Sequence, residues 1–151
     1  MVFPIDSDGS LGGELDFGDD GTLGNTDYIG YVRLSPNEKF LYASGNTGST
    51  SQIVTEEFSE SPLTISYSGC TTNLRLPPGP GGWSLATAAP TGAGAALYVA
   101  ESNPSTGGGR VALLGIDASS GCTTEEPSSP FILTDSNSGA VSLVAWPPRP
   151  F

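Results

Sequence analysis

The sequence predicts an all-β fold built from antiparallel repeats, and three observations support this class. The chain is rich in glycine (21) and proline (13), and it has no long segment of good helix formers. The stretch Tyr31–Gly45 is typical of two strands joined by a tight turn. The tetrapeptide Gly-Cys-Thr-Thr occurs twice, at 69–72 and at 121–124. A length of 151 residues corresponds to about one domain.

The first elements are short strands and turns. Val2–Ile5 is apolar and is followed by an Asp-Gly pair within Asp6–Leu11, which is a hairpin-turn signal that returns at Asp19–Gly24. Turn chemistry is the favoured interpretation, and no metal site is predicted. The alternative is a calcium loop, although the spacing is not that of an EF-hand and the final bidentate glutamate is missing. Its ligands would be Asp6, Asp8, Asp16, Asp19 and Asp20.

The central hairpin is the clearest element. Val32 and Leu34 alternate with polar neighbours, as in a half-buried strand. Ser35–Glu38 supplies the turn, because proline presets one backbone angle and asparagine tolerates the unusual angles that follow. Phe40–Ala43 is then a compact apolar strand, and Gly45 begins the next turn.

The same order of strand, turn and strand continues downstream. The Pro- and Gly-rich segment 77–82 is predicted to be a loop, since it offers too few backbone donors for a sheet. Trp83 opens a second cycle, and a third cycle after it is shortened. The further predicted strands are Gln52–Thr55 with Phe58, Pro62–Tyr67, Trp83–Pro90, Ala96–Ala100, Val111–Asp117, Pro130–Asp135 and Ala140–Trp146.

Composition excludes several classes of function. The net charge is −11, and the five basic residues are scattered, so nucleic acid is not an expected partner. No apolar run is long enough for a membrane span, and the first residues lack the features of a signal peptide. The acidic composition favours an extracellular location. The absence of histidine excludes His-based triads and zinc sites, and two cysteines cannot form a tetrathiolate site. No cofactor is expected.

Two markers define an internal repeat. The two Gly-Cys-Thr-Thr segments lie 52 residues apart, and Leu41–Tyr42 lies 56 residues before Leu97–Tyr98. These offsets are close to the length of some propeller blades.

The residues of the central hairpin also carry a family resemblance. The pattern of Tyr31–Ser44 resembles the lactonase-like seven-bladed β-propellers, and the nearest branch is that of the fungal carboxymuconate cyclase-like proteins. Leu97–Glu101 with Val111–Asp117 is a second match, and Leu133–Val141 with Trp146 is a third. The resemblance implies antiparallel four-stranded blades around a channel.

The chain has material for about three such blades, so the resemblance implies a partial β-propeller. We expect one domain over residues 1–151. Its parts are a blade end at 1–27, a repeat at 28–76, a loop at 77–82, a repeat at 83–126 and a partial repeat at 127–151.

The function that the resemblance implies is an incomplete or degenerate lactonase or carboxymuconate cyclase-like protein without the full catalytic apparatus. Relatives of this kind open or close lactone rings on small carboxylated substrates. The alternative is a non-enzymatic extracellular β-repeat module for binding or structure. An open arc of blades also exposes strand edges, which favour self-association.

Few residues are candidates for a site. Glu101 resembles an acidic position of the cyclase-like proteins and would act as a general base if its pKa were raised; otherwise it is a solvated loop glutamate. Arg33 would orient a substrate carboxylate, or would instead pair with an acid on the sheet. Cys70 and Cys122 would form a disulfide in an oxidising compartment, but only if the two repeats bring them close enough.

Aromatic residues are expected to pack between the repeats, with a sugar-binding platform as the alternative. They are Tyr42, Trp83, Tyr98 and Trp146.

Overall fold

The computed structural model describes residues 8–10, 28–47, 50–60, 62–75, 83–88, 95–103 and 108–132. These residues form nine β-strands and no helix, so the predicted all-β class is confirmed. The strands are β1 (Tyr28–Leu34), β2 (Phe40–Thr47), β3 (Thr50–Glu60), β4 (Leu63–Asn73), β5 (Trp83–Ala88), β6 (Ala95–Asn103), β7 (Gly108–Ile116), β8 (Thr123–Glu125) and β9 (Phe131–Ile132). Within the described ranges, no helix has the length and apolar character that a membrane span requires.

The strands form two antiparallel sheets in which neighbours along the chain pair with each other. The first sheet has the order β1-β2-β3-β4, and the second has the order β5-β6-β7-β8. The antiparallel four-stranded repeats predicted from the sequence are therefore present. The predicted strand at 2–5, the loop at 77–82 and the strand at 140–146 lie outside the described residues.

The short strand β9 belongs to the second sheet, although the sequence assigned it to a third repeat. Phe131 pairs with Val111 and Ile132 pairs with Arg110, both on β7. The strand β8 pairs only with residues 114–116 of β7. β9 therefore continues the edge that β8 leaves open, which satisfies backbone groups that would otherwise face solvent.

The turn between β1 and β2 forms where the sequence predicts it, but with a different residue in the unusual conformation. Glu38, and not Asn37, has a positive φ of 59°. The Asn37 side chain instead accepts hydrogen bonds from the Ser35 hydroxyl (2.6 Å) and the Lys39 amide (3.2 Å). The Ser35 hydroxyl also accepts a bond from the Phe40 amide at 3.0 Å. Asn37 thus fixes the turn through its side chain, as is usual for asparagine in turns.

A bulge interrupts the pairing of β3 with β4. Thr55 pairs with Cys70 while its neighbour Glu56 pairs with Tyr67. Two residues of β4 are therefore left without a partner in the ladder. One of them is Gly69, whose φ of 86° lies in the left-handed region that favours glycine.

The core lies between the two sheets, which pack face to face. Strand β1 lies against β5, and β4 lies against β8, so equivalent strands of the two repeats are neighbours. The first sheet contributes Phe40, Tyr42 and Ile53, with Leu74 just after β4, and the second contributes Leu85, Leu97, Val99, Ala112 and Leu114. Tyr42 is fully buried, and its position between the sheets is the one expected from the sequence.

Candidate functional site

A disulfide joins the two repeats at equivalent positions. Cys70 on β4 and Cys122, just before β8, are bonded, and their Cα atoms lie 5.5 Å apart. Two residues after Cys70 and one residue after Cys122, the Thr72 hydroxyl donates to the Thr123 carbonyl at 2.7 Å. The outer strands of the two sheets are therefore linked by a covalent bond and a hydrogen bond in sequence.

An ion pair continues this line of contacts. Arg75 Nε lies 3.3 Å from a carboxylate oxygen of Glu125, and the Arg75 amide donates to the same oxygen at 2.9 Å. The other oxygen of Glu125 accepts from the Ser129 hydroxyl at 2.8 Å. Only 7% of the Glu125 side chain is exposed, so these partners compensate the cost of burying its charge. We call the set the outer seam: Cys70, Thr72, Arg75, Cys122, Thr123 and Glu125.

Beside the outer seam, at Gly121, the two sheets approach each other closely. The Tyr42 hydroxyl crosses between the sheets and donates to the carbonyl of Gly121 at 3.2 Å. Gly121 has a φ of 70°, and a Cβ atom at this position would lie 2.4 Å from the ring of Phe40. Burial raises the pKa of Tyr42 to about 12, because the phenolate is disfavoured away from water. Tyr42 therefore acts as a neutral donor between the sheets.

Glu101 lies in strand β6 and not in the loop that the sequence suggested. It pairs with Trp83 on β5 and with Arg110 on β7. Arg110 is half-buried. No sequence motif points to Arg110, and it is the register of β6 with β7 that sets it opposite Glu101. An acid and a cation thus occupy adjacent strands of one row.

Arg33 lies in the first sheet, whereas Glu101 lies in the second. Arg33 is on β1 beside the β1–β2 turn, where it pairs with Tyr42, and its side chain is exposed. Among the described residues, no carboxylate lies within ion-pair distance of Arg33. The structure therefore does not place Arg33 and Glu101 in one ladder row.

Of the acidic N-terminal segment, the structure describes only residues 8–10. Asp8 accepts hydrogen bonds from the amide and the hydroxyl of Ser10, at 2.9 and 2.6 Å. These bonds, and chiefly the one from the hydroxyl, lower the pKa of Asp8. This is the local turn chemistry that the sequence favours, and the other four aspartates lie outside the described residues. Within the described ranges, no group of three or more acidic or cysteine side chains is close enough to hold a metal ion.

A mostly apolar cleft opens at the turn end of the molecule, between the two sheets. Its volume is about 250 Å³. The hydroxyl of Ser35 and the side-chain oxygen of Asn37 are bonded to each other, which leaves apolar surface as the main recognition feature. A cleft of this character suits a small uncharged apolar group. The lining residues are Ser35, Pro36, Asn37, Ala95, Ile116 and Ala118, and because they come from separate segments, no local sequence pattern predicts them.

Comparisons with known proteins do not assign the site. No protein-family model matches the chain, and neither curated proteins nor solved structures give a match. The lactonase-like resemblance therefore rests on the sequence motifs alone.

Proposed function

We propose that this chain is an extracellular β-repeat module for binding or structure, which descends from the lactonase-like propellers and does not carry their full catalytic apparatus. The outer seam is the observation that carries this proposal. A disulfide between equivalent positions of two repeats suits an oxidising compartment, where such bonds persist. The disulfide links the two sheets covalently, which is a structural role and not a catalytic one.

The packing of the sheets supports the proposed descent from propeller proteins. Adjacent blades of a propeller pack face to face with equivalent strands as neighbours. The contacts of β1 with β5 and of β4 with β8 follow this rule. So does the use of different faces, since Tyr42 of the first repeat and Leu97 of the second both point into the shared core.

Export of the chain tests the extracellular part. We expect a chain exported from cells with an added leader to contain no free thiol, and to require reductant before a thiol reagent labels Cys70 or Cys122. A folded, exported chain that retains two reactive thiols would contradict the proposal.

The turn-end cleft is the candidate binding site of the module. Titration with indole and phenol, followed by NMR, should shift resonances of Ile116 and Ala95. Ala118→Trp should abolish these shifts by filling the cleft, whereas Ser66→Trp, an exposed position on β4, should preserve them. Shifts that survive Ala118→Trp, or no shift in the wild type, would remove the binding part of the proposal.

A second candidate function is lactone-ring chemistry on a small carboxylated substrate. The row that pairs Glu101 with Arg110 favours it, since a carboxylate would supply a base and a guanidinium would hold a substrate carboxylate. The test is a lactonase and muconate-cyclase assay of Glu101→Gln and Arg110→Gln, with Glu57→Gln, an exposed glutamate of β3, as the matched control. Activity that is lost in the first two variants and kept in the third would overturn the non-enzymatic proposal.

A further inference from the structure

The turn-end cleft has one wall from each sheet. The wall of the first sheet is the turn between β1 and β2, at residues 35–37. In the second sheet, Ala95 pairs with Ile116 across β6 and β7, and these two residues form the other wall together with Ala118, which follows β7. The width of the cleft therefore depends on how the loop after β7 lies against the first sheet.

The loop after β7 is a closed unit that ends at the disulfide. The Asp117 amide donates to the Cys122 carbonyl at 2.9 Å, and the Gly121 amide donates to the Asp117 carbonyl at 2.8 Å. The Asp117 carboxylate also accepts bonds from the amides and hydroxyls of the two serines that follow Ala118. Because these bonds tie the loop into one piece, a movement at Cys122 is transmitted to Ala118 and to the cleft.

One cross-strand row of the first sheet holds the end of this loop. Tyr42, Thr55 and Cys70 lie opposite one another on β2, β3 and β4. The Tyr42 hydroxyl donates to the Gly121 carbonyl at 3.2 Å. Cys70, at the other end of the row, is bonded to Cys122. The segment Gly121–Cys122 is thus attached twice to the same row.

The same segment also contacts the first wall of the cleft. The Phe40 ring lies so close to Gly121 that a Cβ atom at this glycine would be 2.4 Å from it. The Phe40 amide donates to the Ser35 hydroxyl at 3.0 Å, and the Ser35 amide donates to the Phe40 carbonyl at 2.8 Å. Since Ser35 lines the cleft, both walls are connected to Gly121, the residue beside the disulfide.

We propose that the Cys70–Cys122 disulfide sets the shape of the turn-end cleft, and that its reduction by a dithiol weakens the binding of a small apolar ligand there. Reduction breaks the Sγ–Sγ bond, and the dithiol supplies two electrons and two protons and closes to its own disulfide. Both cysteines are only half-buried, so a small reductant can reach them. Without the bond, the loop loses one of its two attachments to the row.

This inference rests on the proposed binding role of the cleft and adds a means of regulating it. The disulfide and the cleft are separate sites, so a coupling between them is reciprocal. A ligand that prefers the oxidised chain must therefore favour the disulfide by the same factor. Indole should shift the thiol–disulfide equilibrium with dithiothreitol towards the oxidised chain.

Titration with indole, followed by NMR of Ile116 and Ala95, tests the coupling on the oxidised chain and on the chain reduced with dithiothreitol. We expect the dissociation constant to rise at least about fivefold on reduction, with an unchanged circular dichroism spectrum. The double variant Cys70→Ser, Cys122→Ser should match the reduced chain. Leu74→Ala is the control for a general loss of stability. It keeps the disulfide and removes a buried side chain that does not line the cleft, so it should bind like the oxidised wild type.

Two single hydrogen-bond variants test the same coupling if the chain without its disulfide does not fold. Tyr42→Phe removes the bond to Gly121 and should weaken indole binding severalfold. Thr72→Val is its matched control, because it also removes one bond between the two sheets, on the side of Cys122 away from the loop. It should bind indole like the wild type. Both variants keep the disulfide.

The possible failures separate this inference from the proposed function. Equal affinities of the oxidised chain and the folded chain without the disulfide would overturn the coupling alone. The same holds for equal weakening by Tyr42→Phe and Thr72→Val, for a Leu74→Ala variant that binds as weakly as the reduced chain, and for an equilibrium with dithiothreitol that indole does not shift. An oxidised wild type that does not bind indole would overturn both the coupling and the binding role of the cleft.

Discussion

At the scale of single residues, two glycines with the same sequence context differ in how closely they are packed. Gly69 and Gly121 both begin a Gly-Cys-Thr-Thr segment and both have a left-handed backbone. Only Gly121 lies against another side chain, the ring of Phe40. Backbone conformation explains glycine at both positions, and close packing adds a second reason at one of them.

Alanine at these two positions should therefore have unequal effects. We expect Gly121→Ala to lower the free energy of unfolding by about 2 to 4 kcal/mol, from backbone strain plus the clash with Phe40. Gly69→Ala, the matched control, should lose only the backbone part, about 1 to 2 kcal/mol. Urea unfolding of both variants measures the difference, and equal losses would contradict the packing argument.

Tyr42 should make stability fall at high pH. Its pKa is about 12 in the folded protein, against 10.0 for an ordinary tyrosine, because burial disfavours the phenolate. A raised folded-state pKa means that the contribution is fully present below pH 10 and is lost as pH rises through 12. Urea unfolding between pH 9 and 12 should show this loss.

Phenylalanine variants separate Tyr42 from other alkaline effects. Tyr42→Phe should flatten the alkaline slope and should cost about 1 kcal/mol at neutral pH, since it removes the bond to Gly121. Tyr67→Phe, at an exposed position, should keep the wild-type slope. A slope that is the same in all three proteins would show that Tyr42 does not cause it.

At the scale of elements, the outer seam joins strands that local pairing leaves apart. β4 and β8 end separate sheets, and no ladder connects them. The disulfide, the threonine bond and the ion pair supply that connection. Each contact uses residues about 50 apart in the chain, so only the packing of the repeats brings them together.

Reduction of the disulfide should weaken the whole protein. The bond spans a sequence separation of 52, for which the lost chain entropy is worth about 4 kcal/mol. We expect Cys70→Ser, Cys122→Ser and the reduced wild type to lose similar amounts in urea unfolding. Thr72→Val, which removes one hydrogen bond from the same seam, should lose only about 1 kcal/mol. Equal stability of the oxidised and reduced proteins would contradict this prediction.

At the scale of the whole molecule, the two sheets share one core and should unfold together. Leu97→Ala should cost about 2 to 5 kcal/mol, because Leu97 is fully buried between the sheets. Ile132→Ala, at a position 67% exposed, should cost less than about 0.5 kcal/mol. Circular dichroism and tryptophan fluorescence should report a single transition, and two separate transitions would show that the sheets are independent.

The sequence by itself determined the class of fold, the central hairpin and the repeat. Strand alternation, Pro36 in the turn and the recurring Gly-Cys-Thr-Thr are local patterns, and local backbone preferences are enough to interpret them. The same preferences identify the left-handed glycines only as glycines in a turn-like context. They do not indicate which of the two is packed against Phe40.

Tertiary structure alone decided which residues of the two repeats come into contact. It brings Cys70 to Cys122, buries Glu125 beside Arg75 and sets Glu101 opposite Arg110. It also moves β9 into the second sheet, because β8 is too short to complete the edge of β7. These features depend on the distance between sheets and on strand register, and both are set by side chains far apart in the chain, so no local pattern of residues encodes them.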